Sequence, residues 1–295
     1  MRTSSLPVEL VTVSSTGFIT GTQTMLDSFL HHNPWFDSPI AVIHDDLPNP
    51  VAAKLEAQFP RLTCRTPSSD LARAISNLVA ARPSLASRYR RFFSLDLFDG
   101  VSARPALFVD SDVLFCASVE TVASLDAPIA ASGDRAYLAG NRRDPETLAE
   151  GAGTANADAF RSFNAGFVRV SQELRQAAMR DRVIGELAPE RWSTVASDHT
   201  DQAVLNRLFG AEVHILDPSY NLMLGHLGRL NEAAGGGVQD ARVLHFNGRA
   251  KPWQMDDSLR AMSDDPDFSF ALAAWHAAYR RFMARRMGHN SKENA

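Results

Sequence analysis

The first sixty residues alternate between two periodicities, and that alternation restricts the fold more than any other feature of the chain. "VELVTVS" (8–14) is an apolar run of strand length, and "TQTMLDSFLHH" (22–32) spaces Met25, Leu26, Phe29 and Leu30 along one helical stripe. "SPIAVIHDD" (38–46) is a second strand. "NPVAAKLEAQFP" (49–60) opens a helix with Asn49 as N-cap and Pro50 at the first helical position, and Pro60 closes it. Strand–helix–strand–helix order calls for crossovers between parallel strands. The expected fold class is α/β, a mostly parallel sheet flanked by helices.

The same alternation continues. A helical region spans roughly 70–98 and contains "SRYRRFFSLDLF"; "RPALFVDSDVLF" (104–115) and "APIAASGD" (127–134) are strands. The polar segment 138–160, rich in Gly, Ala and Asn, reads as a loop able to close over a ligand. "FNAGFVRVS" (163–171) returns to strand, with Ser171 as a cap for the helix "QELRQAAMRDRV". In "SDHTDQAVLNRLFG", Val204, Leu205, Leu208 and Phe209 share a helical face and Gly210 ends it. "AEVHILD" (211–217) and "RVLHFNGRAKPW" (242–253) complete the strand set. These elements assign one domain to residues 1–260 and a basic helical tail to 261–295.

Composition narrows the functional classes. A formal net charge of −4 removes any global attraction to nucleic acid, and nothing approaches a membrane span. Cys64 and Cys116 are the only cysteines, and the N-terminus lacks the apolar core of a secretory signal. A cytoplasmic protein is expected. The C-terminal helix sets Trp275, Tyr279 and Phe282 beside Arg280, Arg281, Arg285 and Arg286. It either packs its aromatic face on the domain or makes a peripheral contact with an anionic membrane surface.

"ALFVDSDVLF" (106–115) places Asp110 and Asp112 inside an apolar run. A buried carboxylate is costly unless it is paired or holds a metal. Residues i and i+2 of a strand point the same way, so the pair could converge on one cation; the alternative is a strand running into a solvated turn. His245 ends a later strand, and two carboxylates with one imidazole suit Mn²⁺ or Mg²⁺, the imidazole favouring Mn²⁺. Lys251 lies six residues on, and Gly248 would let backbone approach a phosphate closely. The set fits a metal-bound diphosphate.

These motifs, in this order, resemble family 8 of the retaining glycosyltransferases, a GT-A-fold family that includes glycogenin and bacterial lipopolysaccharide galactosyltransferases. The likeness runs from about Val8 to Trp253, and the late His-x-x-Gly-x-x-Lys-Pro-Trp is complete from His245 to Trp253. It implies a nucleotide-sugar donor, a hexose (glucose or galactose) carried on UDP and transferred to a carbohydrate or lipid-linked hydroxyl, such as an envelope or capsule glycan. Asp110 and Asp112 match the family's metal-binding Asp-x-Asp, with His245 as third ligand; the first carboxylate also meets the donor ribose. Gly248, Lys251 and Arg91 match donor-contacting positions. Asn164, Asp201, Gln202 and Asp134 match positions around the donor sugar.

Two departures qualify the resemblance. Where relatives carry an acidic and amide-bearing turn with a tyrosine against the uracil, this chain has "VSSTGF", with Ser15, Gly17 and Phe18 at those places. Ala203 stands where some relatives have an aspartate after the glutamine. Gln202 is a poor nucleophile, so front-face attack by the acceptor, assisted by the leaving phosphate, is expected. A metal-dependent nucleotidyltransferase and a sugar-nucleotide-binding protein without turnover are the other readings of the same residues.

Overall fold

A computed structural model of the chain describes residues 8–133, 162–192, 200–225, 237–248 and 250–293. Asp134 and the polar segment expected to form a closing loop lie outside the described residues.

Among the described residues, seven strands form the main sheet: β1 (Glu9–Val13), β2 (Ile40–Ile43), β3 (Leu62–Arg65), β4 (Ala106–Val109), β6 (Ile129–Gly133), β7 (Phe163–Val170) and β8 (His214–Leu216). Their order is β3-β2-β1-β4-β7-β6-β8, and only β7 runs against its neighbours. The α/β expectation holds. A second sheet joins β5 (Val113–Phe115), β10 (Val243–His245) and β9 (Leu222–Met223) in the order β5-β10-β9.

Both faces of the centre of the main sheet are covered, which is why its central strands read as near-continuous apolar runs. Leu10, Val42, Leu107 and Val109 point to one face, against Met25, Leu26 and Phe29 of helix α1 (Ile19–His32). Their neighbours Val11, Ala41, Ile43 and Phe108 point to the other, against Leu71, Ile75 and Leu78 of α3 (Ser69–Ala81). Helix α2 (Asn49–Gln58) starts one residue earlier than expected: Pro48 is the N-cap and Asn49 is already helical. A short α4 (Glu120–Ala123) follows β5. Ser171 makes no side-chain cap bond; a 3-10 turn, Gln172–Arg175, precedes α5 (Ala177–Gly185). Gly210 caps α6 (Asp201–Phe209).

The region after α3 is a 3-10 helical stretch, Pro83–Leu97, anchored by buried charge. Asp96, fully enclosed, accepts from Arg65 (2.7 Å) and from Ser68, and pairs with Arg180 at 3.0 Å. Arg180 also reaches Asp70 at 2.8 Å. These bonds fix the stretch that carries Arg91 and Ser94.

The C-terminal helices α7 (Met255–Asp264) and α8 (Pro266–Glu293) close the smaller sheet. Phe268, Leu272 and Trp275 share a core with Leu114, Leu222, Leu244 and Phe246, while Tyr279 stacks on Trp275 and Phe282 on Phe59. The aromatic face of α8 is therefore packed on the domain, as one of the two expectations had it. Among the described residues no helix is long and apolar enough to cross a membrane.

Candidate active site

The chain builds β1, β2 and β3 outward and then returns across β1 to place β4 on its other side. At such a switch the connections leaving the two central strands diverge, opening a cleft at their carboxyl ends. The turn after β1, Ser14–Phe18, forms one wall; the turn after β4, Asp110–Asp112, forms the other.

One expectation changes here. "ALFVDSDVLF" is not a single strand: β4 ends at Val109, β5 begins at Val113 in the other sheet, and the two aspartates occupy the turn between them. The same-side rule for a strand therefore does not explain their convergence. The turn is instead held from several directions. Asp110 N–H donates to Gly166 O at 2.9 Å, Phe246 N–H donates to Asp112 O at 2.9 Å, and Ser111 Oγ donates to Val13 O. Thr22 Oγ1 donates to Ser111 Oγ at 3.0 Å and lies 2.7 Å from Ser14 Oγ, so buried hydroxyls tie the turn to the other wall.

His245 reaches the turn because β10 pairs antiparallel with β5, setting it opposite Val113. Its Nε2 lies 3.3 Å from Asp112 Oδ1 and 3.6 Å from Asp110 Oδ2. One ligand atom from each of the three falls within 4.8 Å of the others. Donors each about 2.1 Å from one ion at right angles stand about 3 Å apart, so this set fits a divalent cation. Gly166 makes room for it: a Cβ there would lie 2.4 Å from His245 Cε1 and 2.8 Å from Asp110 Oδ2.

Electrostatics point the same way. Burial, and then the charge of Asp112, push the Asp110 carboxyl up to about 7, although 39% of the side chain remains open to the cleft. Burial also opposes ionisation of Asp112, but Lys251 and His245 outweigh it and hold that carboxyl well below the usual range. Lys251 is itself buried, donating to Asp112 Oδ2 at 2.5 Å and to Phe246 O at 2.6 Å. A cation at the three ligands would relieve the crowding of negative charge.

Among the described residues, the other expected positions lie on the elements around this centre. Ser15 precedes the 3-10 turn Thr16–Phe18 that follows β1. Phe18 packs edge-on to Trp253 at 5.3 Å, with Lys251 Nζ 6.0 Å from its ring centroid. Trp253 Nε1 donates to Gly17 O at 3.0 Å, and its ring sits where a Cβ on Gly21 would lie, 2.4 Å away. That indole ties the segment after Lys251 to the β1 turn and to α1. Gly248 has φ +97°, a conformation that other residues rarely adopt. Arg91 is exposed, and its charge favours ionised Asp110.

On the other side, Asn164 is the second residue of β7 and Gln202 the second of α6; Asn164 Nδ2 donates to Gln202 Oε1 at 3.0 Å. Asp201 accepts from Ser94 Oγ at 2.7 Å and from Thr200 Oγ1 at 3.0 Å. Nothing in the sequence marks Ser94, Ser111, Thr22 or Asn221. Isolated hydroxyl and amide residues in ordinary surroundings carry no spacing signal.

A mostly parallel α/β sheet with this acidic turn at its switch point has the architecture of a GT-A glycosyltransferase, and comparison of structures bears this out. The galactosyltransferase LgtC, solved with donor and acceptor sugar analogs, superposes with a TM-score of 0.68 at 17% identity, covering 93% of this chain and 96% of that one. The glycosyltransferase GlyE of Streptococcus pneumoniae TIGR4 gives 0.56 at 17% identity, covering 95% and 64%. Mouse xyloside xylosyltransferase 1 gives 0.54 at 13% identity, covering 82% and 98%. Comparison with curated protein sequences gives no match. The family model described as glycosyl transferase family 8 matches residues 9–257. The chain belongs to that family and is a sugar-transferring enzyme.

Proposed function

We propose that this enzyme transfers a hexose, glucose or galactose, from UDP to a hydroxyl acceptor with retention of anomeric configuration, using Mn²⁺ or Mg²⁺. The observation that carries the reading is the convergence of Asp110, Asp112 and His245 beside buried Lys251 at the switch point of the sheet. Asp110, Asp112 and His245 would hold a divalent ion, which would supply positive charge beside the diphosphate leaving group.

Lys251 adds a second charge at the same place, where it stabilises negative charge developing on the leaving group. The positive-φ turn at Gly248 brings backbone towards the phosphates, and Arg91 contributes from the open side. Ser15 and Phe18 receive the base and ribose. Ser15 has no carboxylate with which to accept from an imide N–H, so base recognition falls more to stacking than in relatives with an acidic turn.

Asn164, Asp201 and Gln202 face the sugar in this reading, with Asp134 as a further contact. Gln202 Oε1 already accepts from Asn164 and from Ala165 N–H (3.3 Å), which makes it a still weaker nucleophile. A covalent glycosyl intermediate on Gln202 is disfavoured. Front-face attack by the acceptor fits better, with the negative end of the amide dipole stabilising the sugar cation through space.

An envelope or capsule glycan, free or lipid-linked, suits the acceptor role, and a cytoplasmic location suits a consumer of nucleotide sugars. Because the aromatic face of α8 is packed, a peripheral membrane contact would rest on its outward arginines. Incubation of the enzyme with UDP-, GDP- and ADP-hexoses and Mn²⁺ tests the proposal. We expect slow, metal-dependent hydrolysis of one donor, an α-configured first product by NMR, and loss of both in Asp112→Ala. Pyrophosphate exchange without dependence on the sugar would indicate nucleotidyl transfer instead.

A further inference from the structure

Asn221 has no part in the reading so far, yet it is fully buried at the centre of the site. It follows β8 on a short 3-10 turn, Pro218–Asn221, just before β9. Its Oδ1 lies 2.9 Å from His245 Nδ1, and its Nδ2 donates to Asn164 Oδ1 at 2.8 Å. Asn164 in turn donates to Gln202. One carboxamide thus joins the imidazole of the candidate metal centre to the amides that face the sugar.

The direction of each bond follows from a backbone group that cannot reverse. Gly166 N–H donates to Asn164 Oδ1 at 2.9 Å, which makes that oxygen an acceptor. Asn221 must then present its NH₂ to Asn164 and its carbonyl to His245. A carbonyl cannot donate, so His245 carries its proton on Nδ1 and leaves the Nε2 lone pair towards Asp110 and Asp112. Were Asn221 turned over, two oxygens would face each other at 2.8 Å and the imidazole would lose its acceptor.

We propose that Asn221 is a positioning residue that sets the His245 tautomer for metal binding and simultaneously aligns Asn164 and Gln202 on the sugar side. The inference rests on the metal-dependent reading above. It predicts that the two ends can be separated. Asn221→Asp keeps an acceptor for His245 but has no donor for Asn164; Asn221→Leu removes both.

The experiment combines calorimetry with Mn²⁺ on donor-free protein, imidazole ¹⁵N NMR of metal-free protein, and turnover, with thermal unfolding to establish that each variant folds. Wild type should show the Nδ1–H tautomer at His245. Asn221→Leu should lose that single tautomer and weaken Mn²⁺ binding by about 10–100-fold. Asn221→Asp should keep most of the metal affinity but lose kcat with little change in donor KM. An Nε2–H tautomer in wild type, or unchanged metal affinity in folded Asn221→Leu, overturns the inference. Absence of Mn²⁺ binding to wild type that nevertheless has the Nδ1–H tautomer would instead overturn the metal-dependent reading on which the coupling rests, and the coupling with it.

Discussion

Gly166→Ala is the smallest change that should dismantle the candidate metal centre. Gly166 lies in β7 directly beside the acidic turn, and a methyl group on it would point at His245. The added Cβ would be 2.4 Å from Cε1 and 2.8 Å from both Nδ1 and Asp110 Oδ2, whereas ordinary contact begins near 3.4 Å. The imidazole must therefore retreat by about 1 Å, and it is enclosed and tethered by Asn221. A misplacement of that size costs on the order of 10²-fold in rate. Overpacking should also cost about 1–3 kcal/mol of stability. Calorimetric Mn²⁺ titration, donor hydrolysis and thermal unfolding of the variant would measure all three. Gly185→Ala, with nothing within 4 Å of the new Cβ, is the control and should leave metal binding and turnover unchanged. Wild-type Mn²⁺ affinity in Gly166→Ala would refute the packing argument.

Further outcomes follow from the same geometry. Lys251→Met removes a cation 2.5 Å from Asp112, so it should weaken donor binding about tenfold or more while leaving Mn²⁺ affinity without donor intact or higher, read by calorimetry. Loss of metal binding instead would mean that Lys251 chiefly holds Asp112 in place. Because the Asp110 carboxyl is raised to about 7, the folded metal-free protein holds a proton there that the unfolded chain releases near pH 4. That stabilising contribution is therefore lost as pH rises from about 4 through 7. The rise in Tm caused by Mn²⁺ should accordingly grow between pH 5.5 and 7.5, since metal must displace that proton at the lower pH; a constant rise would count against it. Asp96→Ala strips Arg180 of a buried partner and should destabilise by about 3–5 kcal/mol in urea unfolding. A loss below 1 kcal/mol would show that Asp70 alone suffices for Arg180.

Much of the fold was legible because each early element carries its own period. The central strands β2 and β4 are apolar on both faces, and Met25, Leu26 and Phe29 are buried on one helical stripe as their spacing indicates. The break at Asp110–Asp112 was not legible. No glycine or proline marks it, and the switch of β5 into the second sheet depends on pairing with β10, more than a hundred residues away. Asp110, Asp112, His245 and Lys251 were legible because their motifs combine charge with apolar or glycine-bearing surroundings. Asn221 was not: in "DPSYN" an asparagine reads as a turn residue, and its role arises from where β9 and β10 carry it. Gly166 lies in a quoted motif, but only the approach of His245 shows why no side chain fits there.

The proposed function requires a cation at Asp110, Asp112 and His245 with the donor diphosphate between it and Lys251. A crystal grown with Mn²⁺ and the nucleotide sugar selected by the hydrolysis screen would test this most directly through the manganese anomalous signal. One strong peak is expected within bonding distance of all three side chains and of diphosphate oxygens, with Lys251 against the phosphate. A donor seated in the cleft with no manganese at these residues, or manganese bound elsewhere, would contradict it.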